Sequence, residues 1–157
     1  MPRPIPGELG LVEVDATWGV IQPIELAPGV RTVGELEVIA HLRGGGPAVD
    51  TRRPEYLATG TLPGARAIPH DEIVTRRGEL DCERPTVMFC NGPQCAATPD
   101  AVRALLASGW PPELILYYRG GMHDWMTLGL PLVPCGERGT PAPADRGRRR
   151  TAVDLGV

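Results

Sequence analysis

"VMFCNGPQCAATPDAVRALL", Val87 to Leu106, is the stretch of this 157-residue chain whose reading decides the fold. Three apolar residues, Val87-Met88-Phe89, predict a short buried strand over Thr86–Phe89, and the run ends in Cys90. Seven small or polar residues follow. Thr98 then reads as a helix N-cap, with Pro99 at the first helical position, Asp100 in the first turn and Gly109 as the stop. A helix over Pro99–Ser108 would place Cys90 at the carboxyl end of a strand, with residues 91–97 looping back over it.

In an open α/β sheet that edge is where ligands bind. Loop amides together with the positive end of a helix favour an anion there, so the Cys90 thiol is expected to ionise more readily than a free thiol. The side chains of the loop are small or uncharged, so its backbone is the expected lining: the amides of Asn91, Gly92, Gln94, Cys95, Ala96 and Ala97 are the candidate anion donors. Pro93 has no N–H to give. The competing reading is a buried cysteine acting as a small hydrophobe; the glycine-bearing loop and the cap weigh against it.

Working outward, Leu114–Tyr118 predicts a second strand and Met122–Leu128 a helix stopped by Gly129. Upstream, Thr32 and Glu35 have the spacing of a capping box, and Val33, Leu36, Ile39, Ala40 and Leu42 keep helical spacing until Gly44-Gly45-Gly46-Pro47. Pro47–Asp50 and Ala65–Pro69 predict short strands, and Pro54 opens one helical turn at Glu55–Ala58. Residues 71–84 read as loop with a possible turn of helix. Strands alternating with helices predict a parallel sheet covered on both faces. Residues 1–31 form an N-terminal arm with one or two short strands, a ribbon around Leu11–Val14 and Trp18–Leu26. Residues 135–157 have little to bury and are expected to be a flexible tail.

Composition narrows the function. No apolar run approaches the roughly 18 residues of a membrane span. Met1–Pro6 lacks the apolar core of a signal peptide, which predicts a cytoplasmic protein with reduced thiols. A net charge of −3 argues against nucleic-acid or membrane partners. All sixteen basic residues are arginine, which removes lysine chemistry. The cysteines at 82, 90, 95 and 135 include no Cys-x2-Cys pair, so neither a zinc site nor a cofactor is expected. The run Arg146–Arg150 reads as a solvated charge cluster.

The strand-Cys-loop-helix unit resembles the active-site loop of rhodanese-like sulfurtransferase domains. Two further stretches agree: "AVDTRRPEYLATGTLPGARAIP" (Ala48–Pro69), with Asp50-Thr51-Arg52 as the family's Asp-x-Arg, and "YYRGGMHDWMTLGLPLV" (Tyr117–Val133), with its Gly-Gly turn and Trp-bearing helix. The resemblance covers about residues 32–134. It implies a three-layer α/β domain with a parallel sheet of about five strands and helices on both faces. It further implies a catalytic Cys90 that takes a sulfane sulfur from thiosulfate or a persulfide and passes it to a thiol or cyanide, splitting transfer into two displacements. Asp50, Arg52 and Thr98 are then supporting residues, with Asp50 and Arg52 a buried pair beneath the loop.

Three departures bear on mechanism. The loop is longer than usual, it carries no basic residue, and Thr61 replaces the usual histidine. Lacking fixed charge, the loop is expected to favour a persulfide donor, small or carried on a protein partner, over dianionic thiosulfate. Phosphatases of related architecture need Cys-x5-Arg; here that position is Ala96. Cys95 is either a resolving thiol or an incidental loop cysteine. The rival to a sulfurtransferase is a non-catalytic or redox-sensing regulatory module on the same scaffold.

Overall fold

The computed structural model describes residues 3–4, 6–7, 12–13 and 20–135. The arm supplies an antiparallel pair, β1 (Arg3–Pro4) and β2 (Val12–Glu13). The stretch around Trp18 and the tail from Gly136, Arg146–Arg150 included, lie outside the described residues.

Five strands form one parallel sheet in the order β3-β7-β6-β4-β5: β3 (Arg31–Val33), β4 (Ala48–Asp50), β5 (Ala65–Ala67), β6 (Thr86–Phe89) and β7 (Ile115–Tyr118). Three helices cover it: α1 (Glu35–Arg43), α2 (Ala97–Ala107) and α3 (Gly121–Thr127). Strand alternation sorts the core into two layers. Val87, Phe89, Leu116 and Tyr118 pack with Val38 and Leu42 of α1 and Met122 and Trp125 of α3. Met88, Ile115 and Tyr117 point the other way, onto Ala101, Val102 and Leu105 of α2. Both sheet faces are therefore buried, as parallel sheets require. The fold is the expected three-layer α/β arrangement, and β6 and β4 occupy its centre.

Two helix starts differ from the sequence expectation. Thr32 lies in β3, where its hydroxyl donates to the Ile24 carbonyl, and α1 is capped by Gly34. Glu37 accepts from the Gly34 N–H at 3.1 Å, so half of a capping box operates two residues later. The edge strand was hidden by this: a three-residue strand has too few positions to show a period. Similarly, α2 begins at Ala97, with Ala96 as N-cap and Thr98 inside the first turn. The Asp100 amide donates to the Ala96 carbonyl at 2.8 Å. Pro99 still fits, because first-turn amides have no helical acceptor.

Candidate active site

Cys90 follows β6 directly, and three elements hold the loop it opens. From α3, the amides of Met122 and His123 donate to the carbonyls of Cys90 (2.9 Å) and Asn91 (2.8 Å). This close approach needs Gly121, whose φ is +57° and whose missing Cβ would overlap the Cys90 carbonyl. From the end of β4, the Thr51 hydroxyl donates to the Phe89 carbonyl at 3.0 Å and lies 2.8 Å from the Thr98 hydroxyl. From the segment before the sheet, the Gln22 amide donates to the Pro93 carbonyl at 2.7 Å, and Arg119 Nε holds the Gln22 carbonyl at 2.9 Å.

The arrangement inside the loop departs from expectation. Cys90 is buried, and the Cys95 thiol, hydrogen-bonded to it, faces the cavity. Cys90 Sγ also lies 3.6 Å from the Cys95 carbonyl oxygen. Desolvation pushes the Cys90 thiol well above the ordinary thiol range, and the neighbouring Cys95 sulfur adds to this. Thr98 opposes the rise from the start of α2. The Thr98 hydroxyl contributes first and its amide second, both donating towards the Cys90 sulfur.

Cys95 moves the other way, down to about 6. Its hydrogen bond from Cys90 is the main cause, outweighing partial burial; the amides of Ala97 and Asn91 and the nearby His70 add to the lowering. The expected easily ionised thiol is present, but it is Cys95. The Cys90 S–H is in place to donate to the Cys95 carbonyl oxygen at 3.6 Å. Of the loop amides named from sequence, those of Asn91 and Ala97 serve the Cys95 sulfur. The Cys95 amide is spent on the Gly92 carbonyl at 2.9 Å, closing a turn within the loop.

The cavity at this edge has a volume of about 520 Å³. Besides Cys95 and Asn91 it is lined by Arg53, Glu55, Tyr56 and His70. Arg53 and His70 were not singled out from sequence, although each lies within three residues of the carboxyl end of β4 or β5, where the strand-edge rule would have found them. The mouth therefore holds a guanidinium that the loop lacks. Its charge is offset by Glu55 on the same wall and by Asp71, 3.8 Å from Arg53. Asn91 Oδ1, His70 Nδ1 and the Tyr117 hydroxyl are buried atoms with no partner among the described residues. Tyr117 is pushed up to about 12 by burial and then by the Cys90 charge.

Beneath the loop, Asp50 and Arg52 are fully buried and paired at 2.7 Å. Thr61 donates to Asp50 at 2.7 Å, and Arg52 reaches the carbonyls of Tyr56 (2.9 Å) and Gly60 (2.6 Å). Every charge there has a partner and both side chains are fully buried, which fits support, although Arg52 also borders the cavity. Cys82 is exposed and away from the cavity lining.

This parallel sheet, with a cysteine loop at its carboxyl edge, matches a known class. The model of the Rhodanese-like domain family matches residues 36–128, and the chain belongs to that family. It is 37% identical over 84 residues to an HTH-type transcriptional regulator of Mycobacterium tuberculosis, across 54% of this chain and 36% of the regulator. It is 33% identical over 85 residues to a sulfurtransferase of Allochromatium vinosum, across 54% of this chain and 76% of that protein. Among solved structures, thiosulfate sulfurtransferase from Pseudomonas aeruginosa is similar with a TM-score of 0.58 and 26% identity, over 73% of this chain and 22% of that one. A rhodanese-like domain protein from Staphylococcus aureus gives 0.52 and 26%, over 61% and 91%. The chain thus spans about a third of the regulator and a fifth of the Pseudomonas enzyme. Among the described residues no helix is long and apolar enough to cross a membrane.

Proposed function

We propose that the protein is a sulfurtransferase that carries a sulfane sulfur as a persulfide on Cys90. The observation carrying this reading is the placement of the Cys90 sulfur: at the carboxyl end of the central strand, under the first turn of α2, in contact with a second thiol that opens onto the cavity. Cys90 attacks the donor's outer sulfur, its proton passes to the sulfur that departs, and the donor leaves as its thiol. The Thr98 amide and the helix end stabilise the anionic sulfur on Cys90. A thiol or cyanide then removes the outer sulfur and regenerates Cys90.

The donor is a persulfide rather than thiosulfate. A dianion gains little from one guanidinium whose charge is offset by Glu55 and Asp71, and exposed ion pairs are weak. Asn91 and His70 line the cavity, and their Oδ1 and Nδ1, without a partner among the described residues, suit a polar, weakly charged carrier. The test is sulfur transfer to a thiol acceptor by the wild type and by Cys90→Ser, with circular dichroism to show that the variant folds. Loss of transfer in a folded variant is expected; transfer at the wild-type rate refutes the role of Cys90. Similarity to a transcriptional regulator favours a second reading, a sensing module, in which Cys90 is modified once without turnover. Multiple turnovers exclude it.

A further inference from the structure

We propose that Cys95 resolves the Cys90 persulfide: it attacks the inner sulfur, forms a Cys90–Cys95 disulfide and expels hydrosulfide. The inference rests on the persulfide reading above and extends it to the fate of the sulfur when no external acceptor is at hand.

Three observations carry it. The turn closed by the Cys95 amide on the Gly92 carbonyl (2.9 Å) folds Cys95 back onto Cys90, whose Sγ lies 3.6 Å from the Cys95 carbonyl oxygen, so the second thiol is held beside the inner sulfur. Cys90 is buried, with 3% of its surface exposed, and Cys95 stands between it and the cavity, so the first thiol any Cys90 persulfide meets is this one. The amides of Asn91 and Ala97 donate to the Cys95 sulfur and favour its thiolate, the form that attacks a sulfur–sulfur bond.

Leaving-group chemistry selects the sulfur attacked. Attack on the outer sulfur, the step an external acceptor uses, expels Cys90, whose buried thiolate is the slower leaving group. Attack on the inner sulfur expels hydrosulfide, a stable anion near neutral pH, and the better leaving group departs faster. The reaction balances without an added oxidant. A donor R–S–SH and the two loop thiols yield R–SH, hydrogen sulfide and the disulfide. The donor's sulfane sulfur is reduced to sulfide, and the two cysteine sulfurs supply the two electrons. A dithiol reductant restores the loop.

The experiment exposes the full chain to limiting cysteine hydropersulfide without oxygen or acceptor, then reads intact mass, peptide map and released sulfide. Wild type should lose two hydrogens, show the Cys90–Cys95 disulfide and release sulfide in proportion to donor. Cys95→Ser and Cys95→Ala should each gain one sulfur on Cys90 and release only background sulfide. A wild type that retains the added sulfur on Cys90 as those variants do overturns the resolving role while the Cys90 reading stands. Wild-type sulfur found on Cys95 overturns it too, since the outer sulfur would then be the one attacked. A Cys90→Ser variant that still transfers sulfur to an added thiol acceptor at the wild-type rate defeats the Cys90 reading itself.

Discussion

Gly121 leaves no room between α3 and the carbonyl of Cys90: a methyl group there would overlap that oxygen, and the glycine φ of +57° already excludes most side chains. The amides of Met122 and His123 can reach the loop only because of this contact.

Gly121→Ala should therefore cost more than its conformational penalty. The left-handed backbone alone costs about 1–2 kcal/mol for a residue with a Cβ. The overlap must also push Cys90 away from α3. Urea denaturation should show the stability loss, and sulfur transfer should fall further than the folded fraction does. Unchanged activity per folded molecule would show that the Cys90 position tolerates movement.

Alkylation should label Cys95 before Cys90, with a pH midpoint at about 6 for the Cys95 rate. The sign is fixed by chemistry: only the thiolate reacts, so labelling falls as pH drops through that value. Cys90→Ala removes the main stabilising hydrogen bond and should move the midpoint up towards the ordinary thiol value of about 8.5. Iodoacetamide rates followed by peptide mass across pH provide the measurement. Faster labelling of Cys90 in wild type would contradict the burial of that thiol.

Asp50→Asn should strip the buried Arg52 of its counter-charge and destabilise the domain by about 3–5 kcal/mol. Thr61→Val removes one hydrogen bond to the same carboxylate and should cost about 1.5–3 kcal/mol. Replacing both charges, as in Asp50→Leu with Arg52→Met, should cost less than Asp50→Asn alone, since no orphaned charge remains. Chemical denaturation of the three proteins decides it; a double variant weaker than the single one would make the pair a net stabiliser.

With a common thiol acceptor, kcat/KM for a persulfide donor should exceed that for thiosulfate. Gln94→Arg, adding charge to the loop, should raise thiosulfate use selectively, and Arg53→Ala should lower it. A wild type that prefers thiosulfate would mean that Arg53 attracts the dianion despite Glu55 and Asp71.

The sequence made the central strands and the loop legible because Thr86–Phe89 and Ile115–Tyr118 are buried on both faces and so read as continuous apolar runs. Cys90 could be placed because a helix had to follow its loop within a few residues. The helix start was less legible: Thr98 looks like a cap, yet its side chain turns inward to Thr51, a partner 47 residues away. The contrast between the two thiols was out of reach for the same reason. Which cysteine carries the charge depends on burial and on where the amides of Asn91 and Ala97 point, and neither is a property of local spacing. Thr61 showed only as a departure, whereas its hydroxyl completes the shell around Asp50.

The bond from Gln22 to Pro93 has a consequence for the borders of this domain. The family's shared core begins at residue 36, yet the loop is pinned by a residue fourteen positions earlier, and the outer strand of the sheet lies in the same preceding stretch. Excision at the family border would remove that pin and expose the flank of β7. Val20 and Gln22, ahead of that border, are part of the cavity wall, and exchanging this leading segment is a route to changing what the cavity admits.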